Sequence, residues 1–348
     1  MKYYPYFDLL RFVLASVVVL EHAGMVMPAF ISGGLAVKVF FVLSGWLIGS
    51  ILIRGEVSDL PRFFYNRALR IWAPYFVAIF LLYSVAWVKE GVGFHWVKYL
   101  LMDVTFTHQL FTFFPAASSE MPMGGSGSQF WSIAVEEQFY LLAPILIFGF
   151  RFGKDWRFWL AVTVLLQYFS SHFASIAMGV FFAIIYQKFD LEKIKIRFVF
   201  WAIVLVACAA LLWGNFIPGG NFVISSLFAT SLVLLLSVQG RPWMWAKLLG
   251  GISYPLYLNH WIGEFFVNAL AKRIDFLGFI NHPVFSWVFA VLFVVPLYVL
   301  VDQKVLKYRD SLFTKSRGVA LAYTAYALVS FGVVSGYVMF KYIQPLFV

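Results

Sequence analysis

The chain has 348 residues, of which 62% are hydrophobic and only 12% are charged, and its mean hydropathy is +0.86. A soluble domain carries about 25% charged residues, so the composition excludes a water-soluble protein and requires a bilayer as solvent. The net charge of +10 does not indicate nucleic-acid binding, because the Lys and Arg residues lie in short loops between apolar runs. The single cysteine, Cys208, excludes an intrachain disulfide and gives no support for a metal site.

Apolar runs of about 20 residues predict an all-α, polytopic transmembrane bundle of about ten to eleven spans. The predicted spans are 9–28, 35–53, 71–89, 129–150, 157–170, 173–187, 198–214, 222–238, 248–268, 284–302 and 318–340. Charged residues interrupt the first run, which we therefore interpret as a retained helix and not as a cleaved signal peptide. No repeat or soluble region is evident, so we predict one membrane domain, 1–348, without a fused soluble domain.

The distribution of basic residues predicts a cytoplasmic N-terminus. With this orientation, all but six of the 26 Lys and Arg residues fall on the inner side. The six exceptions are Lys38, Lys89, Lys98, Lys272, Arg273 and Lys341. The longest outer segment is then 90–128, which contains an amphipathic stretch followed by a Gly- and Ser-rich stretch. That last stretch is interpreted either as a hinge into the next span or as a mobile lid.

Ionisable residues in the first span mark it as a candidate functional helix, because burying such groups in a bilayer is costly. Arg11 and His22 are eleven residues apart, which places them on one helix face about 16 Å apart along the axis. One face thus carries an anion-binding group at one end and a titratable base at the other. The alternative for His22 is a hydrogen-bonded structural histidine.

Two adjacent carboxylates lie in the fourth span, at Glu136 and Glu137. Neighbouring helical residues point about 100° apart, so at least one carboxylate should face a polar interior. There it could orient an imidazole and raise its basicity. The alternative is a structural pairing with basic groups of a neighbouring helix.

Further candidates lie at the cytoplasmic side of the third span and in the ninth span. Arg67 and Arg70 are spaced i and i+3, so both guanidinium groups can converge on one phosphate, although positive-inside anchoring alone would also explain them. His260 follows Tyr257 and is a second buried imidazole among hydroxyl groups. The other histidines are interpreted as surface or structural residues: His95, His108, His172 and His282.

Five motifs, found in order across residues 6–262, together resemble the acyltransferase type 3 family of membrane O-acyltransferases. They are Arg11 and His22, Gly33-Gly34 with Val39–Gly45, Arg67-x-x-Arg70, Phe130–Tyr140, and Ser253–His260. Two positions depart from the family pattern. Lys38 stands where an acidic residue is usual, and Glu21 precedes His22 where an aromatic residue is common. Both lie near the outer end of the predicted site, so they bear on acceptor recognition more than on donor use.

The resemblance implies transfer of an acyl group, commonly acetyl from acetyl-CoA, to a hydroxyl of a surface or exopolysaccharide sugar or its lipid-linked precursor. It implies a multi-pass protein of the bacterial plasma membrane, with the bilayer, acyl-CoA and a carbohydrate acceptor as partners and without a metal. His22 would either deprotonate the acceptor or carry the acyl group itself, and Glu136 would orient its imidazole. The donor phosphates would bind Arg67, Arg70 and Arg11. The predicted substrate-binding side chains are Glu137, Trp131, Ser132, Tyr257 and His260.

Two other classes of protein share many spans and buried charges. A transporter for lipid-linked sugars or glycans would need neither histidine chemistry nor acetyl-CoA. A membrane glycosyl polymerase more often has a large, arginine-rich outer loop, and the segment 90–128 contains no arginine.

Overall fold

The computed structural model describes residues 3–111, 120–191, 194–213, 221–273 and 282–346. Across these ranges every regular element is helical and no strand occurs, which confirms the all-α prediction. The α-helices are α1 Pro5–His22, α2 Gly33–Leu52, α3 Leu60–Glu90, α4 Phe94–Val104, α5 His108–Phe111, α6 Pro122–Gly125, α7 Phe130–Gly149, α8 Trp156–Tyr168, α9 Phe173–Lys188, α10 Arg197–Trp213, α11 Asn221–Leu236, α12 Met244–Asn259, α13 Trp261–Arg273, α14 Pro283–Leu297, α15 Gln303–Tyr308 and α16 Lys315–Val338.

Several helices are long and apolar enough to cross a membrane, so the chain is a multi-pass membrane protein. Within the described ranges there are five: Gly33–Leu52, Val57–Glu90, Phe130–Gly149, Pro283–Tyr308 and Lys315–Ile343. Three shorter apolar helices accompany them: Phe173–Lys188, Arg197–Trp213 and Phe222–Leu236. The larger number of spans and the cytoplasmic N-terminus stay predictions.

The chain forms two compact units, each built from two separate stretches of sequence. Unit 1 comprises Met1–Gly55 and Ile145–Pro296, and unit 2 comprises Glu56–Pro144 and Leu297–Val348. The grouping of the whole chain as one acyltransferase domain stays a prediction.

In unit 1, small residues bring helices α2 and α9 into close backbone contact. A Cβ added at Gly45 would lie 1.9 Å from the Ile176 carbonyl oxygen, and one at Gly179 would lie 2.2 Å from the Val42 carbonyl oxygen. Glycines allow this approach because they have no side chain, which is a common device for packing helices in membranes. Helix α12 packs equally tightly on α1, where Gly250 faces Asp8.

The predicted span 248–268 is two helices, α12 and α13, that meet at His260. The side chain of Asn259 donates to the Pro255 carbonyl oxygen over 3.1 Å, and Nδ1 of His260 lies 2.8 Å from the Tyr257 carbonyl oxygen. Both side chains thus bind carbonyl oxygens of the last turn of α12, as side chains at helix ends often do. The bond to Tyr257 fixes the orientation of the His260 ring.

In unit 2, helix α3 packs along α16. A Cβ added at Gly318 would lie 2.2 Å from the Pro61 carbonyl oxygen, and Arg62 and Asp310 form an ion pair. Helix α3 begins at Leu60, well before the predicted span 71–89. Arg67 and Arg70 are therefore on a continuous helix, as their spacing predicted.

Candidate active site

Two histidines from distant parts of the chain meet in unit 1. His22 is the last residue of α1, and its Nδ1 lies 2.8 Å from Nε2 of His260, at the junction of α12 and α13. The ring centroids are 4.9 Å apart. The sequence predicted both residues for the site but not their pairing.

The Tyr257 carbonyl sets the proton positions in this pair. A carbonyl oxygen only accepts, so Nδ1 of His260 must carry the proton that it donates to Tyr257. In the neutral ring, Nε2 of His260 is then an acceptor, and it takes the proton of His22 Nδ1. The lone pair of a neutral His22 is consequently on Nε2. This is the arrangement of a general base held by a second group.

The two rings differ in accessibility. His260 is only 4% exposed, whereas the side chain of His22 is in the exposed class. Within the described ranges, His22 makes a hydrogen bond through Nδ1 and none through Nε2. The buried ring thus positions the accessible one, and the Nε2 atom of His22 is available to a reactant.

The other predicted residues of unit 1 have local partners. Nη1 of Arg11 is 3.3 Å from Oδ1 of Asp8, and the Tyr3 hydroxyl donates to Oδ2 of the same carboxylate over 2.5 Å. Burial, together with this hydrogen bond to Asp8, raises the pKa of Tyr3 to about 12. Tyr257 is buried, and its ring packs edge-on against Phe40 at 6.0 Å.

Glu21 and Lys38, the two residues that depart from the family pattern, each make local structural contacts. Oε2 of Glu21 accepts from the backbone amide of Gly33 over 2.5 Å and so caps the first turn of α2, where a negative charge is favourable. Nζ of Lys38 lies 4.0 Å from the Phe222 ring centroid and donates to the Phe222 carbonyl oxygen over 3.4 Å. Both residues therefore have structural contacts within unit 1.

In unit 2, a carboxylate, a phenol and a guanidinium adjoin one another. The Tyr140 hydroxyl donates to Oε2 of Glu136 over 2.8 Å, and the guanidinium of Arg67 lies 5.3 Å from the Tyr140 ring centroid. Glu136 and Arg67 are both half-buried. Arg70, one turn further along α3, is exposed and interacts electrostatically with Asp302.

Glu137 lies deeper than Glu136, and one of its oxygens is left unpaired. Nε1 of Trp72 donates to Oε1 of Glu137 over 2.9 Å, while Oε2 is buried and has no hydrogen-bond partner within the described ranges. Ser132 is buried and donates to the Gln129 carbonyl oxygen over 3.1 Å, and Trp131 is half-buried.

The part of the chain that the structure describes contains no group of three or more His, Cys, Asp or Glu side chains that could hold a metal.

Comparison with known proteins now identifies the family. A family model described as an acyltransferase domain matches residues 4–302, which include all five motifs. The chain belongs to the acyltransferase type 3 family. The resemblance in the sequence motifs is thereby confirmed. No solved structure matches this member of the family.

Curated relatives of this acyltransferase type 3 protein come from several bacteria. A "Putative O-acetyltransferase" of Staphylococcus aureus (strain COL) is 23% identical over 331 residues, covering 77% of this chain and 52% of the relative. A "Putative peptidoglycan O-acetyltransferase" of Bacillus subtilis (strain 168) is 30% identical over 128 residues, 33% of this chain and 19% of the relative. "Nodulation protein 10" of Rhizobium leguminosarum bv. viciae is 28% identical over 173 residues, 44% of this chain and 45% of the relative. The chain spans about half the length of the first of these relatives.

Proposed function

We propose that this protein is an O-acyltransferase that moves an acetyl group from acetyl-CoA to a hydroxyl of a carbohydrate. The observation that carries the proposal is the hydrogen-bonded chain from the Tyr257 carbonyl through His260 to His22. It leaves a basic nitrogen on an accessible ring whose tautomer is fixed. Family membership and the printed names of the S. aureus and B. subtilis relatives support the reaction class.

In the direct route, Nε2 of His22 takes the proton of the acceptor hydroxyl while the oxygen attacks the thioester carbonyl carbon. The new C–O bond forms, the C–S bond breaks, and the proton on His22 passes to the departing thiolate. His260 stabilises the transient imidazolium because its Nε2 accepts from Nδ1 of His22.

In the covalent route, Nε2 of His22 attacks the thioester carbon itself, and the C–S bond breaks to give an acetyl-imidazole. The acceptor hydroxyl then attacks this acetyl group, the C–N bond breaks, and the ester is released. The same lone pair serves both routes, so the His22–His260 pair supports either one.

Donor binding is proposed for the arginines that the sequence motif singles out. Arg67 and Arg70 lie one turn apart on α3, and Arg70 is exposed. Guanidinium groups at this spacing suit the phosphates of coenzyme A. We propose Arg11 as an accessory donor-binding residue and Glu136 as a second catalytic residue. Glu137, Trp131, Ser132 and Tyr257 are proposed for substrate binding on the same motif evidence, and His260 is assigned to positioning His22.

We propose the bacterial plasma membrane as the location, with a cytoplasmic N-terminus, and surface or exopolysaccharide sugars or their lipid-linked precursors as acceptors. Gene deletion followed by mass analysis of the surface glycans tests this function. We expect the acetyl ester to disappear while the glycan is still exported. Export lost with acetylation unchanged would instead indicate a transporter and contradict the proposal.

A further inference from the structure

A histidine–carboxylate pair, His108 and Asp103, lies in unit 2 and has no role in the mechanism proposed above. Nδ1 of His108 is 2.5 Å from Oδ1 of Asp103, and the Tyr83 hydroxyl donates to Oδ2 of Asp103 over 2.6 Å. The Tyr75 hydroxyl donates to the Asp103 backbone carbonyl over 2.9 Å. Asp103 and His108 are both fully buried, so His108 is not a surface residue.

The backbone turns sharply to form this pair. Helix α4 ends at Val104, and Phe106 adopts a φ of 54°, a left-handed conformation that a bulky residue rarely takes. The turn brings His108, at the start of α5, back onto Asp103. Such conformations are unfavourable and are concentrated at functional sites.

The carboxylate fixes the tautomer of His108. Because Asp103 accepts from Tyr83 and from Nδ1 of His108, the lone pair of a neutral His108 ring is on Nε2. Nε2 of His108 is buried and has no hydrogen-bond partner among the residues that the structure describes. It is therefore an acceptor that lacks a donor.

Gln109, the residue after His108, carries a second buried acceptor atom. The side-chain amide of Gln138 donates to the Phe106 carbonyl oxygen over 2.7 Å, which fixes its orientation. Its oxygen then accepts from Nε2 of Gln109 over 2.5 Å, so Oε1 of Gln109 is the remaining atom. That oxygen is also buried and, within the described part of the chain, has no hydrogen-bond partner.

Oε2 of Glu137 is a third acceptor of this kind, so that His108, Gln109 and Glu137 form one cluster. It precedes Gln138 on α7, and it is bonded to Trp72, whose ring lies 6.0 Å from the Phe106 ring. A buried acceptor without a donor is unfavourable. A ligand rich in hydroxyl groups would supply donors to all three atoms, whereas an anion would not.

We infer that His108, Gln109 and Glu137 form a binding site for the hydroxyl groups of the carbohydrate acceptor, with Asp103 as the residue that positions His108. This inference rests on the proposed function and specifies its acceptor side. The cluster lies in and beside the segment 90–128, which the charge distribution predicts to be extracytoplasmic.

The test uses the purified full chain, labelled acetyl-CoA, and graded amounts of the glycan fraction from a strain that lacks the gene. His108→Phe keeps the ring volume but removes the acceptor atom, and His108→Gln restores an acceptor. We expect His108→Phe to raise the KM for glycan about tenfold, as for one lost hydrogen bond, while the KM for acetyl-CoA stays within about twofold. His108→Gln should recover most of the glycan affinity.

Gln109→Met is a second variant, and His95→Phe, a partly exposed histidine of the same segment, is the control. An unchanged KM for glycan in both His108→Phe and Gln109→Met would overturn the inference. Equal changes in the KM for both substrates would overturn it too, since they indicate a structural role. Failure of the proposed function looks different, because the wild-type protein would then transfer no label to glycan.

Discussion

Nδ1 of His22 lies 2.8 Å from Nε2 of His260, a contact that joins residues 238 positions apart. Helix α12 ends at Asn259, and Nδ1 of the next residue, His260, donates to the Tyr257 carbonyl oxygen. This bond orients the His260 ring, fixes its tautomer and leaves a base available on His22. The predictions below follow from this pair, from the packing within each unit and from the exposed arginine of α3.

Removing the acceptor on His260 should impair catalysis without impairing donor binding. In His260→Phe the ring volume is retained, but Nδ1 of His22 loses its partner, so the tautomer and the imidazolium are no longer stabilised. We expect kcat to fall by roughly 10²-fold or more, with the KM for acetyl-CoA little changed. Transfer of labelled acetyl to glycan measures both constants.

His260→Gln should restore part of the rate, since its side-chain oxygen accepts a hydrogen bond. His282→Phe is the matched control, because His282 is exposed and its Nδ1 accepts from the amide of Val284. A His260→Phe protein as active as the control would contradict the role assigned to His260.

The close contact of α2 and α9 should tolerate no added methyl group. Gly45→Ala would place Cβ against the Ile176 carbonyl, and Gly179→Ala would place it against the Val42 carbonyl. We expect each to lower the free energy of unfolding by about 1–3 kcal/mol or more, because backbone must move. Gly34→Ala is the control, since its Cβ would meet no atom of the described residues within 4 Å. Thermal unfolding in detergent measures the effect, and equal stability of all three variants would refute it.

Replacing one partner of a buried ion pair in unit 2 should lower the free energy of unfolding more than replacing both partners. Lys98 is fully buried, and its Nζ lies 2.5 Å from Oε2 of Glu120. Glu120→Gln leaves an unpaired buried charge, and we expect a loss of about 3–5 kcal/mol. The double variant Glu120→Gln/Lys98→Met should be more stable than Glu120→Gln. Denaturant titration measures both variants. A double variant less stable than Glu120→Gln would contradict the prediction that the unpaired lysine charge is what destabilises the protein.

The same lysine should make stability depend on pH. Burial lowers the pKa of Lys98 below its usual value of 10.5, although Glu120 opposes this effect. Between the lowered pKa and 10.5, the unfolded chain binds more protons than the folded chain, so this residue makes the folded state more stable as pH rises. Lys98→Met should abolish this contribution. Identical pH dependence of unfolding for wild type and Lys98→Met would contradict the prediction.

Arg70 should act on the phosphates of the donor. We expect Arg70→Gln to raise the KM for acetyl-CoA by about 10- to 100-fold, the cost of a lost charge-assisted hydrogen bond. The KM for S-acetyl-pantetheine without phosphates should not change. Arg62→Gln is the control on the same helix, because Arg62 is paired with Asp310. Equal effects of Arg70→Gln on both donors would exclude phosphate recognition.

Much of the fold could be predicted from hydropathy, because a bilayer requires long apolar helices. The span predicted at 173–187 matches α9, and that at 198–214 matches α10 to within one residue. The break at His260 could not be predicted this way. It depends on side chains binding backbone carbonyls within an apolar run, which leaves the hydropathy unchanged.

The candidate residues could be predicted from the free-energy cost of burying ionisable groups in a bilayer and from the family motifs. Their hydrogen-bond partners could not. His22 and His260 stand out as ionisable groups in apolar runs, yet their contact depends on how α1 packs on α12. The sequence predicts His108 to be a surface or structural residue, because it lies in an outer segment. Its pairing with Asp103 depends on a left-handed conformation at Phe106. A phenylalanine gives no local signal for that conformation, so sequence alone could not place His108 in a buried cluster.

The most direct test of the central claim is the rate of acetyl transfer by His22→Gln, measured with labelled acetyl-CoA and the glycan fraction. If Nε2 of His22 is the base or the acyl carrier, the rate should fall by roughly 10²- to 10⁴-fold, with the KM for acetyl-CoA largely retained. A His22→Gln protein that transfers acetyl within a few-fold of the wild-type rate would contradict the claim.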